Sequence, residues 1–163
     1  MSSFSRDLRW VPSGAGRLAV WHRPRFRSIP QLPALGCRRL VTLLSAREGA
    51  EVIGVAAVSA GLLWTWLPLD GAAPPTGRRS EKAAGTVAEL SSCLDSGESI
   101  LIHCSAGIHR TGMVAYALLR LRGASEPDAL AEVERLRPVT RAGLSAASVA
   151  WGNAVAAGRR ESD

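Results

Sequence analysis

Residues 99–122, SILIHCSAGIHRTGMVAYALLRLR, constrain the fold more than any other stretch. The run from Ser99 to His103 is continuously apolar, the pattern of a strand buried on both faces. A helical pattern begins near Arg110 and is stopped by Gly123. Residues 105–109 must therefore turn a buried strand directly into a helix N-terminus. Small side chains at Ser105, Ala106 and Gly107 let backbone N–H groups converge on one point. Such a nest at the positive end of a helix dipole holds a dianion.

The rest of the chain alternates in the same way. Strands are expected over 17–22, 39–44 and 62–67, and helices over 29–36, 47–60, 80–94, 125–137 and 145–157. Ser80 and Ser125 are candidate N-caps, and Gly36 closes the first helix. DGAAPPTG (70–77) is a loop, because Asp-Gly and Pro-Pro both mark turns. GRRESD (158–163) reads as a frayed tail. Alternating strands and helices imply right-handed crossovers and a mostly parallel sheet. Such a sheet binds ligands at the carboxyl ends of its strands. Two segments sit there: HCSAGIHRTG (103–112) and LPLDG (67–71).

With 163 residues the chain suffices for one compact domain and is short for two. Residues 52–69 contain no charge over 18 positions, the length of a short membrane span. Gly54, Ser59, Gly61, Thr65 and Pro68 interrupt it, so a buried helix followed by a buried strand, broken at Gly61, is the preferred reading. Three cysteines, Cys37, Cys93 and Cys104, make no disulfide framework, which favours a reducing, cytoplasmic setting. The opening MSSFSRDLRW has no apolar run of the kind a secretory leader carries. Net charge is +6, from 19 arginines and one lysine, Lys82, against 14 acids. Nine arginines fall before residue 48, but scattered arginine is ordinary solvated surface, and neither a nucleic-acid nor a membrane partner is expected.

The pairing of Cys104 and Arg110 carries the chemistry. A guanidinium at the end of the loop binds two phosphate oxygens at once. The field that holds phosphate also stabilises a thiolate, so Cys104 should have a lowered pKa. A thiolate beneath a bound phosphate is placed for in-line attack, and positioning with charge stabilisation is most of what phosphoryl transfer needs. Asp70, on a loop after another strand, is the candidate acid for the leaving oxygen and base for the water that follows. The Thr111 hydroxyl can hydrogen-bond the sulfur and help it leave. His103 would tie down the loop rather than act as a base. Ser105, Ala106, Gly107, Ile108 and His109 would line the phosphate site. His109 either stands on the pocket rim toward substrate or points to solvent.

His103, Cys104, Arg110 and Thr111 at this spacing resemble the signature of the cysteine-dependent protein tyrosine and dual-specificity phosphatases. LPLDGAAPP (67–75) resembles their general-acid loop, especially in the group similar to the cyclin-dependent-kinase-associated phosphatase and its bacterial members. GRLAVWHRP, GCRRLVTLL and LRLRGASEPDALAEVERLRP extend the resemblance to about residues 8–155. It implies one α/β domain with a mostly parallel sheet of four or five strands flanked by helices. It further implies hydrolysis of phosphomonoesters on phosphorylated proteins or peptides through a phosphocysteine, with no metal and no cofactor. Cys104 would be the nucleophile, Arg110 the phosphate clamp and Asp70 the general acid.

Departures from the pattern bear on substrate. The loop contains no lysine, unlike phosphoinositide and inositol-polyphosphate phosphatases of this fold. The only tyrosine, Tyr116, follows the loop, so no tyrosine-bearing insertion deepens the pocket. Phosphotyrosine is favoured, with phosphoserine and phosphothreonine admissible. Competing readings are a phosphate-binding pseudophosphatase, or an RNA 5′-phosphatase or phosphoinositide phosphatase using the same loop. A zinc site would have to use His103, Cys104, His109 and Cys93. Cys37 or Cys93 could trap oxidised Cys104 as a disulfide. No residue before Asn153 matches the one that positions the hydrolytic water in relatives.

Overall fold

The computed structural model describes residues 6–161. Strand β1 (Val11–Ser13) forms an antiparallel hairpin with β2 (Gly16–Trp21). Strands β3 (Arg39–Thr42), β4 (Leu63–Trp66) and β5 (Ser99–His103) complete one sheet in the order β1-β2-β5-β3-β4. Every pairing other than the hairpin is parallel. The chain is thus one α/β domain with a five-stranded, mostly parallel sheet. β5 is central, and all five of its residues are buried, as its uninterrupted apolar run requires. β1 escapes a sequence reading because it is three residues long and contains Pro12. Proline is tolerated there because β1 is an edge strand.

Helices α1 (Ala50–Ser59), α2 (Gly77–Asp95), α3 (His109–Leu121), α4 (Glu126–Leu136), α5 (Pro138–Ala142) and α6 (Ala146–Arg160) flank the sheet. α3 is enclosed by neighbours, and every residue from Thr111 to Leu119 is buried. The uncharged run 52–69 is a helix and then a strand, with Gly61 at φ 85° between them. Neither is buried as expected: β4 is an edge strand, and Val52, Val55, Val58 and Leu63 are exposed. Among the described residues no helix is long and apolar enough to cross a membrane.

Several boundaries differ from the sequence reading. The helix expected over 47–60 starts only at Ala50, because a 3-10 turn (Ala46–Glu48) and a left-handed Gly49 precede it. The strand expected over 39–44 ends at Thr42. Residues 29–36 form no α-helix; two 3-10 turns, Phe26–Gln31 and Pro33–Leu35, replace it. Pro30 and Pro33 lack the N–H groups that an α-helix would need. α2 begins after Thr76, so Ser80 lies inside the helix, where its hydroxyl accepts from Trp151 Nε1. Pro138 ends α4 but at once opens the short α5. α6 runs on through the glycine-arginine segment expected to fray, and residues 162–163 of that tail lie outside the described residues.

Because β2, β3, β4 and β5 run parallel, their carboxyl ends open along one edge. Arg23, Glu48, Asp70 and Cys104 all lie in the segments that leave these ends.

Candidate active site

Cys104 follows the last residue of β5 and is buried. Burial is the largest influence on its thiol and would raise the pKa. Against it act the Thr111 hydroxyl and the backbone N–H groups of Thr111, Gly107 and Ile108, all directed at the sulfur. Together they prevail, and the thiol lies below its ordinary pKa. The Thr111 hydroxyl is fully buried and has no well-formed hydrogen bond of its own. Ionisation of the sulfur offers that donor a full acceptor.

Converging N–H groups require diverging carbonyls, and each carbonyl from Cys104 to Ile108 meets a donor. The Cys104 carbonyl accepts from His103 Nδ1 at 3.0 Å. The Ser105 carbonyl accepts from the Arg23 backbone N–H at 2.9 Å. Arg137 Nη1 donates to the Ala106 and Gly107 carbonyls, both at 3.0 Å. Thr140 Oγ1 donates to the Gly107 carbonyl at 2.6 Å, and the Gly112 N–H takes the Ile108 carbonyl. Gly107 adopts φ 69°, and a Cβ there would collide with the Trp21 backbone. No other residue fits this position.

His103 is completely buried and braces the loop from beneath. A carbonyl can only accept, so Nδ1 carries the ring proton. Nε2 then accepts from Thr42 Oγ1 at 2.8 Å, while that hydroxyl accepts from Trp64 Nε1 at 2.9 Å. Desolvation pushes the His103 pKa down to about 4, which keeps the ring neutral and this direction fixed.

Arg110 enters the site from the first turn of α3. Its Nη1 and Nη2 meet Glu48 Oε2 and Oε1 at 2.8 and 2.9 Å. Nη1 also donates to the Leu69 carbonyl at 2.9 Å, next to Asp70. Glu48 closes the 3-10 turn Ala46–Glu48 and accepts from the Ser45 backbone N–H at 2.8 Å. The Arg110 guanidinium is the main cause that lowers the Glu48 carboxyl to about 2. Glu48 was not singled out from the sequence. The pattern Ser45-x-x-Glu48 just beyond a strand end is the signal that could have found it.

Asp70 lies one residue past the Arg110 contact, but its side chain turns outward. Its Oδ2 pairs with Arg79 Nη1 at 2.6 Å, and the two side chains are 71% and 81% exposed. With Arg79 and Lys82 it lines a cleft between the loop and α2. His109 is exposed, and its Nδ1 donates to the Gly143 carbonyl at 3.0 Å. The Ile108 side chain also sits against Gly143, where a Cβ would overlap it.

The four groups considered for zinc do not meet. His103 and His109 spend ring nitrogens on Thr42, Cys104 and Gly143, and the Cys93 carbonyl accepts from Glu98, just before β5 begins. Cys93 is thus at the opposite end of the strand from Cys104. Asn153 is also remote from the loop. Its amide oxygen accepts from Tyr116 and Arg120, and its nitrogen donates to Glu126.

Residues 5–154 match the DSP-PTPase phosphatase domain of the Swiss Army Knife proteins. The chain belongs to this family. The domain is of the protein-tyrosine and dual-specificity phosphatase type. Among solved structures, Tk-PTP in its active form is 21% identical with a TM-score of 0.73, over 93% of this chain and 97% of its own. Kinase-associated phosphatase, with its catalytic cysteine replaced by serine, is 17% identical with a TM-score of 0.72, over 94% of both chains. TpbA of P. aeruginosa, solved in complex with phosphotyrosine, is 20% identical with a TM-score of 0.60, over 96% of this chain and 94% of its own.

Proposed function

We propose that this phosphatase domain hydrolyses phosphomonoesters on phosphoproteins, with phosphotyrosine favoured, through a phosphocysteine at Cys104. The observation that carries this reading is the Cys104 sulfur at the focus of three loop N–H groups and the Thr111 hydroxyl, with its pKa lowered despite burial. The loop amides and Arg110 bind the phosphate dianion. The Cys104 thiolate attacks phosphorus, the S–P bond forms and the P–O ester bond breaks, and Asp70 gives its proton to the departing oxygen. Water then attacks phosphorus, Asp70 takes a proton from it, and the S–P bond breaks to release inorganic phosphate. Thr111 donates to the sulfur as it leaves. Asp70 must exchange Arg79 for the leaving oxygen, a cheap change because so exposed an ion pair contributes at most about 1 kcal/mol.

The test compares the wild type with Cys104→Ser on a generic aryl phosphate, followed by a phosphopeptide panel. Turnover in the wild type, abolished in the variant and blocked by vanadate, supports the proposal. No turnover in homogeneous wild-type protein leaves a phosphate-binding pseudophosphatase. Preference for phosphoinositides or 5′-phosphorylated RNA over phosphopeptides moves the substrate class.

A further inference from the structure

We infer that Arg137 is a positioning residue that sets the charge state and phosphate affinity of the loop, acting through a strap formed by residues 137–143. The inference rests on the reading of Cys104–Arg110 as a phosphate loop, but its test does not require turnover.

The strap follows from local sequence. Pro138 disfavours helical geometry at the residue before it. Arg137 is accordingly extended, at φ −168° and ψ 113°, between α4 and α5. This break lays the next segment along the outside of the loop. Three of its residues touch the loop backbone or side chains there: Arg137 at the Ala106 and Gly107 carbonyls, Thr140 at the Gly107 carbonyl, and Gly143 at His109 and Ile108.

Arg137 is held in place by more than these bonds. Its guanidinium lies over the Trp21 ring, 4.9 Å from the centroid, at the carboxyl end of β2. The contact fixes the plane of the guanidinium, so that one nitrogen, Nη1, serves both carbonyls. A peptide unit is rigid, so orienting the Ala106 and Gly107 carbonyls outward turns the N–H groups of Gly107 and Ile108 inward. Those are two of the three amides that act on the Cys104 sulfur. The positive charge of Arg137 also favours the thiolate directly. Arg137 touches neither the sulfur nor any phosphate-binding nitrogen; it acts through two peptide planes and through charge.

The test reads the thiolate, not turnover. Iodoacetamide labelling of Cys104 is followed against pH by peptide mass spectrometry, which separates it from Cys37 and Cys93. Inorganic phosphate affinity is measured by calorimetry on the same proteins. Arg137→Gln should move the labelling midpoint to higher pH and weaken phosphate binding about tenfold or more, the scale of losing one charge-assisted hydrogen bond. Arg137→Lys, which keeps the charge and loses the stacked double contact, should recover part of both. Thr140→Val removes one donor at the Gly107 carbonyl and serves if Arg137→Gln does not fold. It should shift both readings in the same direction by less. Unchanged labelling and phosphate affinity in folded Arg137→Gln, or in Thr140→Val where the first does not fold, would overturn the inference. If wild-type Cys104 shows no depressed labelling midpoint, the phosphate-loop reading itself fails.

Discussion

Glu48 holds Arg110 edge to edge, with both carboxylate oxygens on both terminal guanidinium nitrogens, across 62 residues of sequence. The Arg110 side chain is only 11% exposed, so its planar donors are fixed before any phosphate arrives. The guanidinium also meets the Cys104 sulfur, where the proposed mechanism would place the phosphate oxygens. Replacing Glu48 by glutamine keeps the shape and removes the charge. Hydrogen bonds to charged groups are worth about 1.5–3 kcal/mol, so kcat/KM for an aryl phosphate should fall roughly 10- to 100-fold. An unchanged kcat/KM would show that Arg110 is positioned by the Leu69 carbonyl and α3 alone.

The directed chain from Trp64 through Thr42 and His103 to the Cys104 carbonyl predicts a mutational and a pH effect. Thr42→Val is nearly isosteric but leaves His103 Nε2 buried without a partner. The expected cost is about 2 kcal/mol, or roughly 4–8 °C in melting temperature for a domain of this size. For the pH effect, His103 is depressed from 6.5 in the unfolded chain to about 4 in the fold. The unfolded state therefore binds more protons between those values. Stability is complete above pH 6.5 and declines as pH falls toward 4, by about 3 kcal/mol in all. Glu48, lowered from 4.5 to about 2, has the same sign in a separate and more acidic window. Chemical denaturation of the wild type and of His103→Asn at pH 7 and pH 5 checks this. A variant that loses as much stability as the wild type over that interval would place the titration elsewhere.

The acid role of Asp70 predicts a dependence on leaving group. Asp70→Asn should lower turnover about 10²-fold or more for an alkyl phosphate, the usual scale of general acid catalysis. With 4-nitrophenyl phosphate, whose leaving oxygen departs without a proton, the loss should be much smaller. Arg79→Gln removes only an exposed ion pair, so turnover should change less than about fivefold. Equal losses for both substrates in Asp70→Asn would assign the proton to another donor. A large loss in Arg79→Gln would make Arg79 part of the site rather than a resting partner.

The legible parts of this fold are those that a short window carries. A buried strand, three small residues and a helix start point to the strand–loop–helix turn that carries Cys104 and Arg110, because local geometry alone makes it. Gly61 likewise divided the uncharged run correctly. Glu48 and Arg137 were not singled out, although each has a local pattern, a capping box and an Arg-Pro helix break. Their roles arise from partners 62 and about 30 residues away, and single residues do not encode such distances. β1 and the two 3-10 turns were missed for another reason. Prolines there disrupt the periodicity on which strand and helix readings depend.

The cysteines yield a final prediction, because the sheet register separates them. Cys37 lies two residues before Arg39, which pairs with Ile100, whereas Cys104 lies four residues beyond Ile100. The Cys37 thiol lies against the Leu101 backbone, so three residues of β5, roughly 10 Å, separate it from Cys104, against the 7 Å limit for Cα atoms in a disulfide. Cys93 is no nearer, since its carbonyl bonds to Glu98 at the far end of β5. Burial also raises both thiols, Cys37 to about 12, so neither is a ready thiolate for attack on an oxidised partner. Peroxide-treated protein should therefore yield no Cys104–Cys37 or Cys104–Cys93 peptide by non-reducing mass spectrometry. Inactivation rates should be the same in a Cys37→Ser, Cys93→Ser double variant. Detecting either cross-linked peptide in the folded protein would mean that the domain opens across the whole sheet on oxidation, contrary to the packing of β3 against β5.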